Sequence, residues 1–299
     1  MGDYLGELAA LGTATLWAFS SIAFTFSGLR VGSLVTNRLR LLLAVLLVGA
    51  THWALAGTPI PSAEPFRWGW LALSAVIGLV AGDSLLFKAF VLVGTRIGML
   101  LWSLSPIFSA LIAWLLMGEK MAPAEIGAML LALGGMAWVV LERPQRDVAL
   151  PRRLYVIGVL AGIAAAFCQA AGLVTAKFGL VDGYPALSAT LIRMVVATLL
   201  MWGIAVFNGQ AAATVRKLRS DPGAGAYILI GAMAGPFLGV WLSLVAVQAE
   251  RVGVASTLMA MTPVLSLPLV HWFMKEQVSP RAVAGTIVAI AGIAIIMLV

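Results

Sequence analysis

Asp83 is the residue with the clearest capacity for chemistry. It stands in Gly82-Asp83-Ser84, well inside an apolar stretch. A charge at membrane depth costs about 2.5–3.5 kcal/mol on insertion scales, so it is a functional candidate by default. Two readings are open. The carboxylate meets a substrate amine or exchanges a proton, or it is capped by Ser84 or paired with Lys88 or an arginine. Lys88 lies closer to a span end, where its stem can snorkel. Arg40 and Arg193 occupy corresponding places in the two halves of the chain. Pinning loop carbonyls is the first reading for them, and binding a substrate carboxylate the second. Trp17, Trp102 and Trp241 sit inside apolar stretches, away from the interfacial belts where tryptophan gathers. Each carries an N–H that needs a partner. They either line a cavity, where an apolar or aromatic substrate would stack, or pack against core and lipid.

Two groups of polar residues precede prolines. Trp102, Ser103 and Ser105 come before Pro106, and Thr257 and Thr262 before Pro263. A mid-helix proline frees a carbonyl three to four residues upstream. Here that means Leu101 or Trp102, and Leu258 or Met259. In lipid such a carbonyl needs a partner or a wet cavity. The duplicated feature therefore predicts hinges at Pro106 and Pro263 with exposed acceptors for an amine. The other reading is a kink healed by nearby hydroxyls. Gln169 and Gln248 are long, neutral and interior. The expected substrate-binding set is Trp17, Asp83, Trp102 and Ser105 from the first half with Gln169, Trp241, Gln248 and Thr257 from the second.

Enzyme chemistry has no support. His52 and His271 lie far apart with no carboxylate or cysteine cluster beside them, and no phosphate-binding glycine loop is present. No catalytic residue, metal ligand or cofactor is expected. The single cysteine, Cys168, forms no intrachain disulfide and reads as a small packing residue.

The elements that must position these residues follow from composition. Hydrophobic residues make up 62% of the chain and charged residues 10%. Soluble domains sit near about 45–50% and about 25%, so the solvent is lipid. The net charge of +7 falls mainly at the ends of apolar runs, which points to membrane orientation and away from nucleic acid. Runs of about 20 residues match the hydrocarbon thickness of a bilayer. Ten spans are predicted, near residues 5–27, 33–55, 68–91, 95–117, 123–141, 153–177, 186–207, 224–248, 252–274 and 279–298. The first begins without a basic leader or cleavage site. A tight turn is expected at Val93-Gly94-Thr95-Arg96, and true loops at residues 142–153 and Asn208 to Gly225.

The chain repeats itself. Pro106 answers to Pro263 and Glu119 to Glu276, at a common offset of 157 residues. Gly135 parallels Gly292, Arg40 parallels Arg193, and Trp17 parallels Phe167. The boundary falls in the loop after the fifth span, giving repeats 1–147 and 148–299. With an odd number of spans per half, the second repeat enters the membrane from the opposite side. Such inverted repeats place a site near the midplane and permit alternating access. Glycine and alanine pairs such as Gly78 and Gly82, Gly158 and Gly162, and Gly231, Gly235 and Gly239 read as seams of close helix packing. Basic residues concentrate on the side reached after spans one, three, five, seven and nine. That side is therefore cytoplasmic and both termini are outside.

The ends of the two halves, Ser105-Pro106-Ile107 with Gly118-Glu119 and Thr262-Pro263-Val264 with Lys275-Glu276, each followed by a glycine-rich fifth span, resemble the EamA repeat of the drug/metabolite transporter superfamily. The resemblance covers essentially the whole chain. It implies an all-α integral membrane protein of ten helices in two inverted five-helix repeats, with a central cavity. It also implies export of amino acids or other small metabolites across a bacterial inner membrane. The alternative within the class is a multidrug or lipophilic-cation exporter, which needs a carboxylate deep in the cavity. The expected partners are a small-molecule substrate and the bilayer. A monomer is expected, since one chain carries both repeats.

Overall fold

A computed structural model describes residues 4–142, 151–265 and 280–298, apart from the side chains of 94–96, 139–142, 282, 297 and 298. Among the described residues every regular element is a helix. In chain order they are α1 (Leu5–Val31), α2 (Ser33–Ala56), α3 (Pro65–Ser74), α4 (Asp83–Trp102), α5 (Ser105–Met117), α6 (Pro123–Glu142), α7 (Arg152–Gly179), α8 (Ala186–Phe207), α9 (Ala211–Ser220), α10 (Pro222–Ala232), α11 (Val240–Ala249), α12 (Val252–Met259) and α13 (Pro280–Leu298). Wider π-helical turns, Ala75–Gly82 and Met233–Gly239, join α3 to α4 and α10 to α11. Both end on a glycine at the same 157-residue offset as the prolines.

Among the described residues seven helical stretches are long and apolar enough to cross a membrane, and Pro123–Trp138, Val252–Leu265 and Val283–Ile296 are shorter apolar helices. The residues that would complete the ninth predicted span, 266–274, lie outside the described residues, as do His271, Trp272 and Lys275-Glu276. Large apolar side chains such as Leu46, Leu115, Leu116, Leu160 and Leu199 are exposed around the bundle. That many outward-facing apolar groups suit a lipid environment and no aqueous one.

The expected reversal at residues 93–96 is present, although the backbone stays helical across it. A methyl group on Gly98 would meet the Phe90 ring at 2.5 Å and the Phe90 nitrogen at 3.6 Å. Eight residues of straight helix would separate these points by about 12 Å. The chain therefore folds back within α4. Gly118 ends α5 in the left-handed conformation, at φ 69°, where a side chain would be strained. The predicted loop from Asn208 to Gly225 is corrected: it holds the ten-residue helix α9. Its polar sequence hid it, because α9 is held by side chains from elsewhere. Arg38 donates to Thr214 at 3.1 Å and to Gln210 at 2.6 Å.

The repeat appears in the packing partners. α1 packs along α10 and α11, as α7 packs along α3 and α4. α2 meets its counterpart α8, α5 meets α12, and α6 meets α13. The small residues form these seams. Gly78 faces Gly172, and Gly158 and Gly162 admit Val93 and Leu101. Gly135 lies against the Ala289 backbone and Gly292 against the Ala132 backbone, one contact repeated by symmetry. Gly82 lies against Cys168 as Gly239 lies against Trp17. The counterpart of Trp17 is thus Cys168, and the predicted match to Phe167 is one residue out. A one-residue shift turns a helix by about 100°, and Phe167 accordingly points outward, 49% exposed.

Opposite the basic face, ionic ties lace one repeat to the other. Glu119 accepts from Lys177 Nζ at 2.6 Å and from the Val252 N–H at 2.9 Å. Lys177 also reaches the Glu250 carbonyl at 2.6 Å. Arg251 holds Glu125, and buried Arg67 donates to the carbonyls of Gly179 and Val181. Burial pushes the Glu250 carboxyl above its ordinary value of 4.5, with nearby Glu7 adding to the shift. A raised carboxylate value means that ionisation opposes folding, so this stability is lost as pH rises above 4.5. Glu250→Gln is therefore expected to raise the melting temperature in detergent at neutral pH, with the gain fading in acid. An equal gain at all pH values would assign it to packing instead.

Candidate functional site

On the basic side of these ties a cavity opens between the repeats. It encloses about 830 Å³, counting solvent at its mouth. Its wall is drawn from several helices of both repeats. It includes residues 17–25 of α1, Arg40 of α2, Asp83 to Phe90 and Met99 to Trp102 of α4, and Gly235 and Pro236. Gln169, Arg193, Ser243 and Thr262 complete its polar part.

α1 presents Trp17, Ser20, Ser21, Phe24 and Thr25 on one side. Their spacing of three and four residues is that of a single helix face. This polar stripe in an apolar helix was a signal that the sequence reading passed over. The hydroxyls of Ser20, Ser21 and Thr25 turn back to carbonyls of their own helix. They keep acceptor capacity toward the cavity. Trp17 and Trp102 meet edge to face, with centroids 5.3 Å apart. Phe24, Phe87 and Phe90 extend the aromatic wall.

Asp83 lines the cavity and is also paired, which joins its two predicted readings. Its carboxylate accepts from Arg40, whose Nε donates to Asn37 Oδ1 at 2.8 Å. The Arg40 guanidinium lies 5.3 Å from the Phe24 ring and 5.0 Å from Phe87. That geometry is a cation–π contact on two sides. The first reading of the arginines is corrected, since neither Arg40 nor Arg193 holds a loop carbonyl. Both face the cavity, because their positions fall mid-helix on the α2–α8 seam and not at its ends. Lys88 is exposed, in keeping with a snorkelling side chain.

The predicted set divides. Trp17, Asp83, Trp102 and Gln169 line the cavity. Ser105 lines a small adjoining void shared with Trp17, Trp102, Gln169, Ser256 and Met259. Trp241, Gln248 and Thr257 stand apart from both walls. Trp241 stacks on Phe237 at 6.4 Å and packs against the Leu71 cluster. Gln248 donates to the Tyr184 carbonyl at 2.9 Å, and Thr257 donates to its own helix at Gly253, 2.7 Å. Sequence position gives depth in the membrane but not which way a residue faces, and these three face seams.

Both proline-bearing helices break just before the proline. Ser103 and Leu104 separate α4 from α5, and Ala260 and Met261 follow α12 at the same 157-residue offset. Three of the four candidate carbonyls find local donors, as the reading of a locally healed kink expects. Leu101 accepts from the Leu104 N–H at 3.1 Å, Leu258 from the Met261 N–H at 3.2 Å, and Met259 from the Thr262 hydroxyl at 2.8 Å. Tightened turns of this kind satisfy backbone groups that lipid cannot. Among the described residues no cluster of three metal-ligating side chains occurs. His52 is held between the Thr58 carbonyl and Ser188.

Known proteins place this architecture. The sequence pattern of the EamA-like transporter family matches residues 4–141 and 156–298, one match in each half. No curated protein sequence matches the chain. Among solved structures it is similar to a crystal structure of a protein at 19% identity, with a TM-score of 0.76, covering 98% of this chain and 96% of the other. At that identity the likeness shows the fold alone.

Proposed function

The chain belongs to the EamA-like transporter family, and from that premise we propose that it is a secondary carrier exporting amino acids, aromatic and other hydrophobic ones included. In this reading ten spans, five per repeat, cross a bacterial inner membrane with the basic face in the cytoplasm. Substrate enters the cavity from that face. The ties of Glu119, Lys177, Arg67 and Arg251 then hold the outer side closed, and alternating access exchanges the two arrangements. The paired breaks before Pro106 and Pro263 are the hinges. Trp17, Trp102, Asp83 and Gln169 bind substrate, with Ser105 behind them.

One observation carries the reading: aromatic side chains (Trp17, Phe24, Phe87, Phe90 and Trp102) and polar or charged ones (Arg40, Asp83, Gln169 and Arg193) line one cavity between the repeats. An amino acid needs both kinds of partner. Asp83 on the wall is the feature that a lipophilic-cation exporter would need, but Arg40 already neutralises it. That pairing favours amino acids over cations.

The test is release from liposomes loaded with radiolabelled amino acids. Selective, saturable release is expected. Trp102→Ala should weaken apparent affinity by about tenfold, the scale of one large aromatic contact. Trp241→Ala, outside the cavity, should leave affinity unchanged. Efflux of lipophilic cations with no amino-acid release would replace this reading.

A further inference from the structure

Arg193 is left over by everything described so far. It lies inside α8, two turns from its start, and is 3% exposed, yet it is part of the cavity wall. Its Nε and Nη1 are buried and have no hydrogen-bond partner. A guanidinium does not give up its proton inside a protein, so burial cannot be relieved by neutralisation. A methyl group on Gly78 would sit in ordinary contact with the guanidinium, 3.5 Å from Nη2.

Among the described residues the charges on the cavity wall are Arg40, Asp83 and Arg193. Asp83 is engaged by Arg40, so one positive charge remains, and it is Arg193. We infer that Arg193 is a carboxylate anchor, and that the cavity selects substrates carrying a carboxylate over amines that lack one. A planar fork of donors matches a carboxylate better than any other small group. In a low-dielectric pocket an entering anion replaces a costly unpaired charge with a compensated one. An entering cation meets an excess of its own sign. The aromatic wall of Trp17, Trp102 and Phe90 takes the apolar body of the substrate. Ser20, Ser21 and Gln169 offer acceptors to an α-amine. The inference rests on reading this cavity as the substrate site.

The experiment measures ligand-induced stabilisation of the purified full chain in detergent. The probes share two apolar bodies: phenylalanine and leucine, their deaminated acids 3-phenylpropionate and 4-methylpentanoate, and their decarboxylated amines phenethylamine and isopentylamine. Wild-type protein should be stabilised by the amino acids and the acids but not by the amines, a comparison that depends on no variant. Arg193→Gln should raise the half-maximal concentration for both carboxylate groups by about tenfold or more, the scale of a charge-assisted hydrogen bond. Arg193→Lys should recover part of it.

Amino acids and amines stabilising alike, with no effect of Arg193→Gln, would overturn the anchor and leave amino-acid binding standing. Stabilisation by the amines alone would overturn both the anchor and the amino-acid reading. No stabilisation by any probe would do the same, leaving the Arg193 guanidinium to water or inorganic anions.

Discussion

Asp83→Ala is expected to destabilise the protein by about 3–5 kcal/mol, the cost of breaking a buried ion pair from one side, and to abolish transport. The substitution removes the anion that faces Arg40 and leaves two buried guanidinium groups on one cavity wall. Neither can shed its proton. The aromatic contacts of Arg40 with Phe24 and Phe87 are already made in the wild-type protein and supply no new counter-charge. The measurement is thermal unfolding in detergent, followed by flux in liposomes for whatever protein remains folded. The double variant Asp83→Ala/Arg40→Met removes the stranded partner and should recover part of the stability but not the flux. If Asp83→Ala unfolded at the wild-type temperature, the pair would be dispensable and Asp83 would act on substrate alone.

Gly135→Val should be comparably damaging for a different reason. The added Cβ would lie 2.4 Å from the Ala289 nitrogen and 2.7 Å from the Gly285 carbonyl oxygen. Both are backbone atoms of α13, which cannot rotate away as a side chain can. Overpacking typically costs about 1–3 kcal/mol. Here the two helix axes must separate along the whole seam, which places the cost at or above the top of that range. Gly292→Val meets the Ala132 nitrogen at 2.5 Å by symmetry and should behave alike. Gly134, one residue away, has nothing within 4 Å of its would-be Cβ. Gly134→Ala is therefore expected to be neutral or slightly stabilising, because alanine loses less backbone freedom in a helix. Melting temperatures of the three variants decide the matter. Equal effects at 134 and 135 would mean that loss of glycine itself, and not the α6–α13 contact, was responsible.

Much of this was legible in the sequence because its signals are one-dimensional. Hydrophobic run length fixes where helices can span lipid, since every backbone polar group there must be satisfied within the segment. The 157-residue offset linking Pro106 to Pro263 relates the two halves wherever they fold. That offset recurs in the helix breaks, the π-helical turns and the Gly135 and Gly292 contacts. Trp17, Asp83, Trp102 and Gln169, chosen for lying inside apolar stretches, line the cavity.

Which way a residue faces was decided only by tertiary packing. Trp102 and Trp241 are alike in sequence context, but α4 turns the first into the cavity while α11 turns the second onto Phe237 and the Leu71 cluster. An apolar helix in lipid lacks the strong polar and apolar faces that set rotation in a soluble helix. Rotation is set instead by where small residues let backbones approach. Arg40 and Arg193 match in sequence, yet one pairs with Asp83 across the α2–α4 contact while the other keeps Nε and Nη1 without a hydrogen bond. A pair formed across 43 positions of chain leaves no mark in local spacing. The sequence thus determined the apolar helical stretches and their two-fold repeat. The fold alone decided which polar groups share a cavity and which of its charges is left uncompensated.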